Sequence, residues 1–131
     1  MPKKQSAKYV DGFVFVVPKK HVVEYKKMAR KAGNIWMKYG ALDYKECIGN
    51  DLRVKSHEGI KPLSFTKLMK VKPTETVWFS YITYKNKRHR DQVNKKVMAD
   101  PVMNDPKEWP KEMPFDMKQM AYGGFAVEVS G

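Results

Sequence analysis

The sequence predicts one α+β domain, an antiparallel sheet covered on one face by two helices. Segments rich in β-branched and aromatic residues alternate with two segments whose apolar residues recur at helical spacing. At 131 residues the chain is long enough for one modest core but not for two. We therefore expect residues 1–131 to form a single domain, with residues 1–8 as a flexible basic tail.

The first half of the chain predicts a strand, a helix and a strand. Tyr9 to Val17 form the first strand, because β-branched and aromatic residues dominate it. A helix follows from Lys19 to Tyr39, with Pro18 at its entry and Gly40 as its C-terminal cap. A second strand then runs from Ala41 to Ile48.

The second half repeats this pattern after an irregular connection. Within the connection, Ser64 to Val71 are predicted as an additional strand or an extended edge. Glu75 to Tyr84 form the clearest strand of the chain. A helix from Asn86 to Ala99 follows, with Asn86 as its N-cap, and the last strand runs from Gly123 to Val129.

The order of these elements is the βαββαβ plan of ferredoxin-like domains. Two helices cover only one face of such a sheet. In the first strand the even-numbered residues, Val10 to Val16, are small and suit helix packing, whereas the odd-numbered residues, Tyr9 to Val17, make a face too apolar to be left in water. We therefore expect a homodimer whose two sheets face each other.

The net charge of +12 is concentrated in the first half of the chain. Residues 1–73 carry 17 Lys and Arg against 6 acids, whereas residues 74–131 carry 9 against 8. This asymmetry makes a nucleic-acid partner the alternative to a small ligand. We do not favour it, because the helical lysines lie opposite the apolar stripe, where they serve solubility, and few aromatic residues interleave with the basic ones.

Several classes of protein are excluded by what the sequence lacks. The longest strand-like apolar run, Phe13 to Val17, is too short to span a membrane, and no signal peptide is recognised. A lone cysteine, Cys47, predicts a reducing cytoplasm and is expected to be a buried structural thiol. No metal-ligand spacing and no Gly-rich phosphate loop occurs, so we expect neither a metal nor a cofactor.

The candidate catalytic residues are two carboxylates within predicted strands and a tyrosine. Asp11 lies among apolar residues, where a carboxylate is costly unless paired; it is either functional or hydrogen-bonded across the dimer. Glu46 raises the same question in the second strand. Together they could act as acid and base, or bind a cation from the partner chain, with Tyr81 of the third strand as a further candidate.

Four further residues are candidates for substrate binding: His57, Ser80, Asp116 and Tyr122. His57 lies in the irregular connection and is the histidine free to reach a cleft. Ser80 and Tyr81 face opposite sides of their strand, so at most one shares a cavity with Asp11. Asp116 and Tyr122 border the Gly-Gly pair, and Asp116 is more simply explained as a turn or cap residue.

Separate motifs along residues 8–129 resemble the YbaA-like family, a bacterial family of unknown function in the dimeric α/β-barrel superfamily. The motifs are Tyr9-Val10-Asp11-Gly12-Phe13-Val14, Gly40-Ala41-Leu42 to Glu46-Cys47, Val77-Trp78-Phe79-Ser80, Val97-Met98-Ala99-Asp100-Pro101, Met113-Pro114-Phe115-Asp116 and Tyr122-Gly123-Gly124-Phe125. The resemblance implies a ferredoxin-like fold and a dimeric α/β barrel, but no established activity. Family members usually carry Arg where this chain has Val102, and Gly and Arg where it has Met117 and Gln119, which weakens the case for an anion site there.

Three classes of function follow. The leading one is a small molecule bound or transformed in a cavity between sheet and helices, as the resemblance to cofactor-independent enzymes of the wider superfamily implies. The alternatives are a nucleic-acid-associated basic protein and a structural or regulatory dimer without catalytic activity. The sequence assigns no reaction.

Overall fold

A four-stranded antiparallel sheet organises the computed structural model, which describes residues 6–131. The strands are β1 (Tyr9–Pro18), β2 (Asp43–Ile48), β3 (Glu75–Tyr84) and β4 (Ala121–Ala126). The helices are α1 (Val22–Lys38), α2 (Phe65–Leu68) and α3 (Lys87–Met98), and single 3₁₀ turns lie at Lys19–His21, Pro106–Glu108 and Met117–Gln119. The spatial order of the strands is β2-β3-β1-β4, so that β2 and β4 are the edges.

Local chemistry accounts for most of these boundaries. Asn86 caps α3 as predicted, since its side-chain oxygen accepts a hydrogen bond from the backbone N–H of His89 at 2.8 Å. The predicted strand at Ser64–Val71 is wrong: Ser64 caps the short helix α2 by accepting from the N–H of Lys67. The last strand begins two residues earlier than predicted, at Ala121.

The predicted basic tail lies mostly outside the described residues. Within them, Lys8 is hydrogen-bonded on both sides. Its N–H donates to the Tyr84 carbonyl at 3.0 Å, and its carbonyl accepts from the Val127 N–H at 2.9 Å. Lys8 is therefore fixed by backbone hydrogen bonds next to the start of β1 and is not part of a free tail.

The helices cover the face of β1 opposite to the one that the sequence predicted. Phe15 and Val17 are fully buried against Tyr25 and Ala29 of α1, and the Phe15 and Tyr25 rings meet edge to face at 5.4 Å. Large aromatic side chains fill the gap of about 10 Å between a sheet and the layer packed on it better than valine and glycine do. The small-residue face of β1 is therefore the one on the open side.

The open face of the sheet retains exposed aromatic residues. Phe79 of β3 is 43% exposed and Phe125 of β4 is 63% exposed. The β2–β3 connection covers one end of this face, where Leu52 lines a crevice with the buried Val77. Cys47 lies on β2 in register with Phe79 and is exposed, so the prediction of a buried thiol is wrong. Cys47 is exposed because β2 is an edge strand and no layer covers it.

Two apolar clusters lie between the helices and the sheet. One joins β1, β3 and α1: Phe15, Val17, Tyr25, Ala29 and Trp78. The other joins β3, α1 and α3: Ile35, Ala41, Ile82, Tyr84, Val93 and Val97. Phe115, from the segment before β4, packs its ring against Phe15 at 5.2 Å and Tyr25 at 5.5 Å, so this segment is part of the core.

No helix in residues 6–131 is both long enough and apolar enough to cross a bilayer.

Candidate functional site

The strand register decides which of the predicted site residues share a face. Ser80 pairs with Glu46 on one side and with Phe13 on the other, so all three face the helices. Asp11 lies two residues before Phe13 and faces the same way. Tyr81 points to the open face of the sheet, away from both carboxylates.

Asp11 and Glu46 nevertheless line different clefts. The first, the Glu46 cleft, is a space of about 460 Å³ between α1 and the edge strand β2. The second, the Asp11 cleft, is a space of about 280 Å³ between α3 and the opposite edge strand β4. Because each carboxylate has its own cleft, the arrangement does not form a paired acid and base.

Three aromatic donors hold the carboxylate of Glu46. The Tyr25 hydroxyl donates to Oε1 at 2.7 Å and the Trp78 indole N–H donates to the same oxygen at 2.9 Å. The Tyr44 hydroxyl donates to Oε2. The donors come from α1, β3 and β2, so the tertiary fold fixes the position of the carboxylate from three directions.

The two phenols of this cluster are held in their protonated form. Burial, followed by the negative charge of Glu46, raises the pKa of Tyr25 above its ordinary value. The same causes, in the same order, raise the pKa of Tyr44. Both hydroxyls therefore act as hydrogen-bond donors to Glu46 and not as bases.

A glycine on α1 makes room for Tyr44. A Cβ atom at Gly33 would lie 2.8 Å from the Tyr44 ring, closer than real Cβ atoms come to a neighbour. Gly33 is buried within a helix, where glycine is unfavourable by about 1 kcal/mol relative to alanine. Sequence reasoning did not identify Tyr25, Tyr44 and Gly33 as residues of the site. Two features of the sequence could have indicated them: a glycine inside a predicted helix, and the i, i+2 spacing of Tyr44 and Glu46 along one strand face.

The rim of the Glu46 cleft is basic and its walls are largely apolar. Lys26 and Arg30, one helical turn apart on α1, line it and are exposed. Met37 and Ile48, each 45% exposed, add apolar surface on the two sides. The cleft thus presents a fixed carboxylate, an apolar wall and two exposed cations.

In the Asp11 cleft, the buried carboxylate is paired with an arginine of the same chain. Asp11 is only 6% exposed, and Arg90 Nη1 donates to its Oδ1 at 2.9 Å. The Arg90 guanidinium also lies over the Tyr9 ring, 5.0 Å from its centroid. Burial raises the pKa of Asp11 and outweighs the opposing effect of Arg90.

The remaining candidates fall in three places. Tyr122 lines the Asp11 cleft, stacked on Phe13 with ring centroids 5.8 Å apart. Asp116 accepts a hydrogen bond from the N–H of Lys118 at 2.9 Å and caps a 3₁₀ turn, which confirms its interpretation as a cap residue. His57 is exposed, pairs through its backbone with Ile60, and lines neither cleft.

Across residues 6–131, no three His, Cys, Asp or Glu side chains are placed to hold a metal ion. The polar groups of both clefts are suited to hydrogen-bonding an organic ligand.

A family model and several relatives match this chain, and their descriptions assign no activity. Residues 8–117 match the model of a family described as "Protein of unknown function (DUF1428)". Over 118 residues the chain is 43% identical to "Uncharacterized protein YbaA" of Escherichia coli strain K12, covering 90% of this chain and 94% of that protein. A protein of the same description from Shigella flexneri matches equally well.

Among solved structures, a Bacillus cereus protein related to NIF3 aligns with 98% of this chain at 12% identity. The match spans 28% of that protein and has a TM-score of 0.36, so it bears on neither fold nor function.

Proposed function

We propose a function from the chemistry of the site, because the chain belongs to the DUF1428 family, whose function is unknown. This membership confirms the resemblance found in the sequence motifs. We propose that the chain binds a small amphipathic acid in the Glu46 cleft. The observation that carries the proposal is the carboxylate of Glu46, held by Tyr25, Tyr44 and Trp78 at the floor of an apolar cleft. A few fixed polar groups within a largely apolar concavity are typical of ligand sites.

The arrangement of charges supports an acidic ligand with a donor at its other end. Lys26 and Arg30 at the rim favour an anionic group, such as a carboxylate or a phosphate. Glu46 carries three of the roughly four hydrogen bonds that a carboxylate accepts, which leaves one place for a donor from the ligand. The apolar body would then lie against Met37 and Ile48.

The same features favour binding over catalysis. The raised pKa values of Tyr25 and Tyr44 remove both phenols as bases near neutral pH. The carboxylate that could act as a partner, Asp11, lines the other cleft. The nucleic-acid alternative has less support, because the rim cations Lys26 and Arg30 surround a concave site of small-ligand size.

We also propose that the fold is ferredoxin-like and that two copies pair through their open sheet faces in a dimeric α/β barrel. The fold is supported by the strand order β2-β3-β1-β4 and by two successive β-α-β units, β1-α1-β2 and β3-α3-β4. The exposed Phe79 and Phe125 support the pairing, since a sheet face with large apolar side chains is stabilised by a cover. A free cysteine, Cys47, on the same face suits a reducing cytoplasm.

The binding proposal is tested by NMR, because the three tryptophans of the chain report on separate places. The Trp78 indole N–H bonds Glu46, the Trp36 indole bonds Asn94 in the Asp11 cleft, and the Trp109 indole bonds the Val102 carbonyl. Titration of ¹⁵N-labelled protein with 4-hydroxybenzoate should move the Trp78 resonance saturably, while that of Trp109 stays in place.

A matched set of variants separates the site from general charge attraction. Lys26→Ala and Arg30→Ala should each weaken 4-hydroxybenzoate binding several-fold. Lys27→Ala removes an equal charge from the same helix outside the cleft and should leave binding unchanged. An unmoved Trp78 resonance, or an equal loss of binding in all three variants, would refute the proposal.

A further inference from the structure

The Asp11 cleft is formed by two segments that stand out in the sequence and play no part in the Glu46 cleft. Asp11 of β1 pairs with Gly124 of β4, and Phe13 pairs with Tyr122. The Tyr-Val-Asp-Gly-Phe and Tyr-Gly-Gly-Phe motifs therefore lie side by side and form one wall of a cleft between β4 and α3. The function proposed above leaves this wall unexplained.

Two glycines, Gly123 and Gly124, line the β4 side of the cleft beside Tyr122. A Cβ atom at Gly124 would clash with the Tyr9 hydroxyl, so no larger residue fits there without displacing Tyr9. Tyr9 in turn supports the guanidinium of Arg90 through its ring. Gly124 therefore gives room to Tyr9, whose ring lies against the guanidinium that pairs with Asp11.

The buried carboxylate offers one acceptor to this space. Arg90 engages Oδ1 of Asp11, which leaves Oδ2 as the oxygen available to a ligand. No fully buried polar side-chain atom in residues 6–131 lacks a partner, so Oδ2 is not sealed inside the protein. Arg90 compensates the charge of Asp11 and also pairs through Nε with the exposed Asp91 at 2.8 Å, so no cation is left over for an anionic ligand and a neutral one is favoured over it.

Asn94 offers a hydrogen-bond donor to the same cleft. Its Oδ1 accepts from the Trp36 indole N–H at 3.1 Å and from the Tyr84 hydroxyl at 3.4 Å. Because an indole N–H can only donate, these contacts fix the amide orientation and leave the NH₂ group for other partners. Asn94 lies one helical turn after Arg90, the partner of Asp11, on α3, and both Asn94 and Asp11 line the cleft.

We propose that the Asp11 cleft is a second binding site, for a small neutral ring in which a hydrogen-bond donor adjoins a carbonyl, as in a cyclic amide. The ring N–H donates to Asp11 and its carbonyl accepts from Asn94. Trp36, Ile82 and Met98 supply the apolar contacts on either side of the ring. A space of about 280 Å³ suits a ligand of one ring, near the lower limit for ligand pockets.

The test uses 2-pyridone and its N-methylated form as a matched pair of probes. 2-Pyridone has the adjoining N–H and carbonyl, whereas N-methyl-2-pyridone keeps the ring and the carbonyl but has no donor. In ¹⁵N-labelled protein, 2-pyridone should move the Trp36 indole resonance saturably and leave that of Trp109 unchanged. The N-methylated probe should bind about tenfold more weakly, the cost of one lost hydrogen bond to a charged group.

Two variants complete the test. Asn94→Asp retains the acceptor for Trp36 and Tyr84 but loses the NH₂ group, and should weaken 2-pyridone binding about tenfold or more. Lys26→Ala changes the Glu46 cleft and should leave 2-pyridone binding unchanged. This result is expected even if 4-hydroxybenzoate does not bind in the Glu46 cleft. Equal affinity of the wild-type protein for 2-pyridone and N-methyl-2-pyridone would overturn the proposal. A Trp36 indole resonance that does not move on addition of 2-pyridone would also overturn it.

Discussion

Gly33 and Tyr44 meet where α1 crosses the edge strand β2, and a Cβ atom on Gly33 would lie 2.8 Å from the Tyr44 ring. The missing side chain allows Tyr44 to lie beneath the helix and to donate its hydroxyl to Glu46. This contact connects the packing of the helix to the geometry of the proposed site.

Gly33→Ala should therefore damage the site more than it damages the fold. Alanine stabilises a helix interior by about 1 kcal/mol relative to glycine, which offsets part of the cost of displacing the Tyr44 ring. We expect a change in unfolding free energy within about 1 kcal/mol, together with a clear shift of the Trp78 indole resonance. Lys27→Ala, an exposed change on the same helix, is the control and should leave that resonance in place.

Glu46→Ala should destabilise the fold by about 2–3 kcal/mol, because the buried Tyr25 and Trp78 lose the acceptor of their hydrogen bonds. Glu46→Gln keeps one oxygen as an acceptor and should cost about half as much. Urea unfolding of both variants measures the difference. Glu24→Ala removes an exposed carboxylate and should change the unfolding free energy by less than about 0.5 kcal/mol. Equal losses of stability in Glu46→Gln and Glu46→Ala would contradict the assignment of Glu46 as the acceptor for Tyr25 and Trp78.

Asp100 should make the stability of the fold fall in acid. The Tyr39 hydroxyl at 2.6 Å, assisted by Lys38 and two backbone N–H groups, lowers the pKa of Asp100 from 3.8 to about 2. A depressed carboxyl pKa adds stability above the unfolded-state value, and this is lost as the pH falls toward the folded-state value. The stability difference between the wild type and Asp100→Asn should be constant above about pH 5 and should shrink below about pH 4. Urea midpoints across this range measure it, and a difference that persists unchanged to about pH 3 would argue against it.

Phe79→Glu should separate the proposed dimer, because it places a charge at the middle of the open sheet face. Sedimentation velocity at micromolar concentration should give a dimer for the wild type and a monomer for the variant. Val23→Glu changes an apolar residue on α1 that is more exposed than Phe79, at 69% against 43%, and should remain dimeric. A monomeric wild type would rule out the pairing.

The sequence predicted the elements where their signals are local. The N-cap at Asn86 and the β-branched and aromatic run at Glu75–Tyr84 each depend on residues within a few positions, and both were located correctly. The short helix α2 was missed because its signal, the cap at Ser64, lies among apolar residues that equally suit a strand.

By itself, the sequence determined the order of the major strands and helices, the two carboxylates within strands, and the family. Only the tertiary structure decided which face of β1 the helices cover, because an alternating strand with apolar residues on both faces fits either way until Tyr25 packs on Phe15. It alone also decided the hydrogen-bond partners of the two carboxylates. Glu46 meets donors 21 and 32 residues away, and Asp11 meets an arginine 79 residues away. Contacts at such separations depend on how the layers pack, and no local pattern in the chain encodes them.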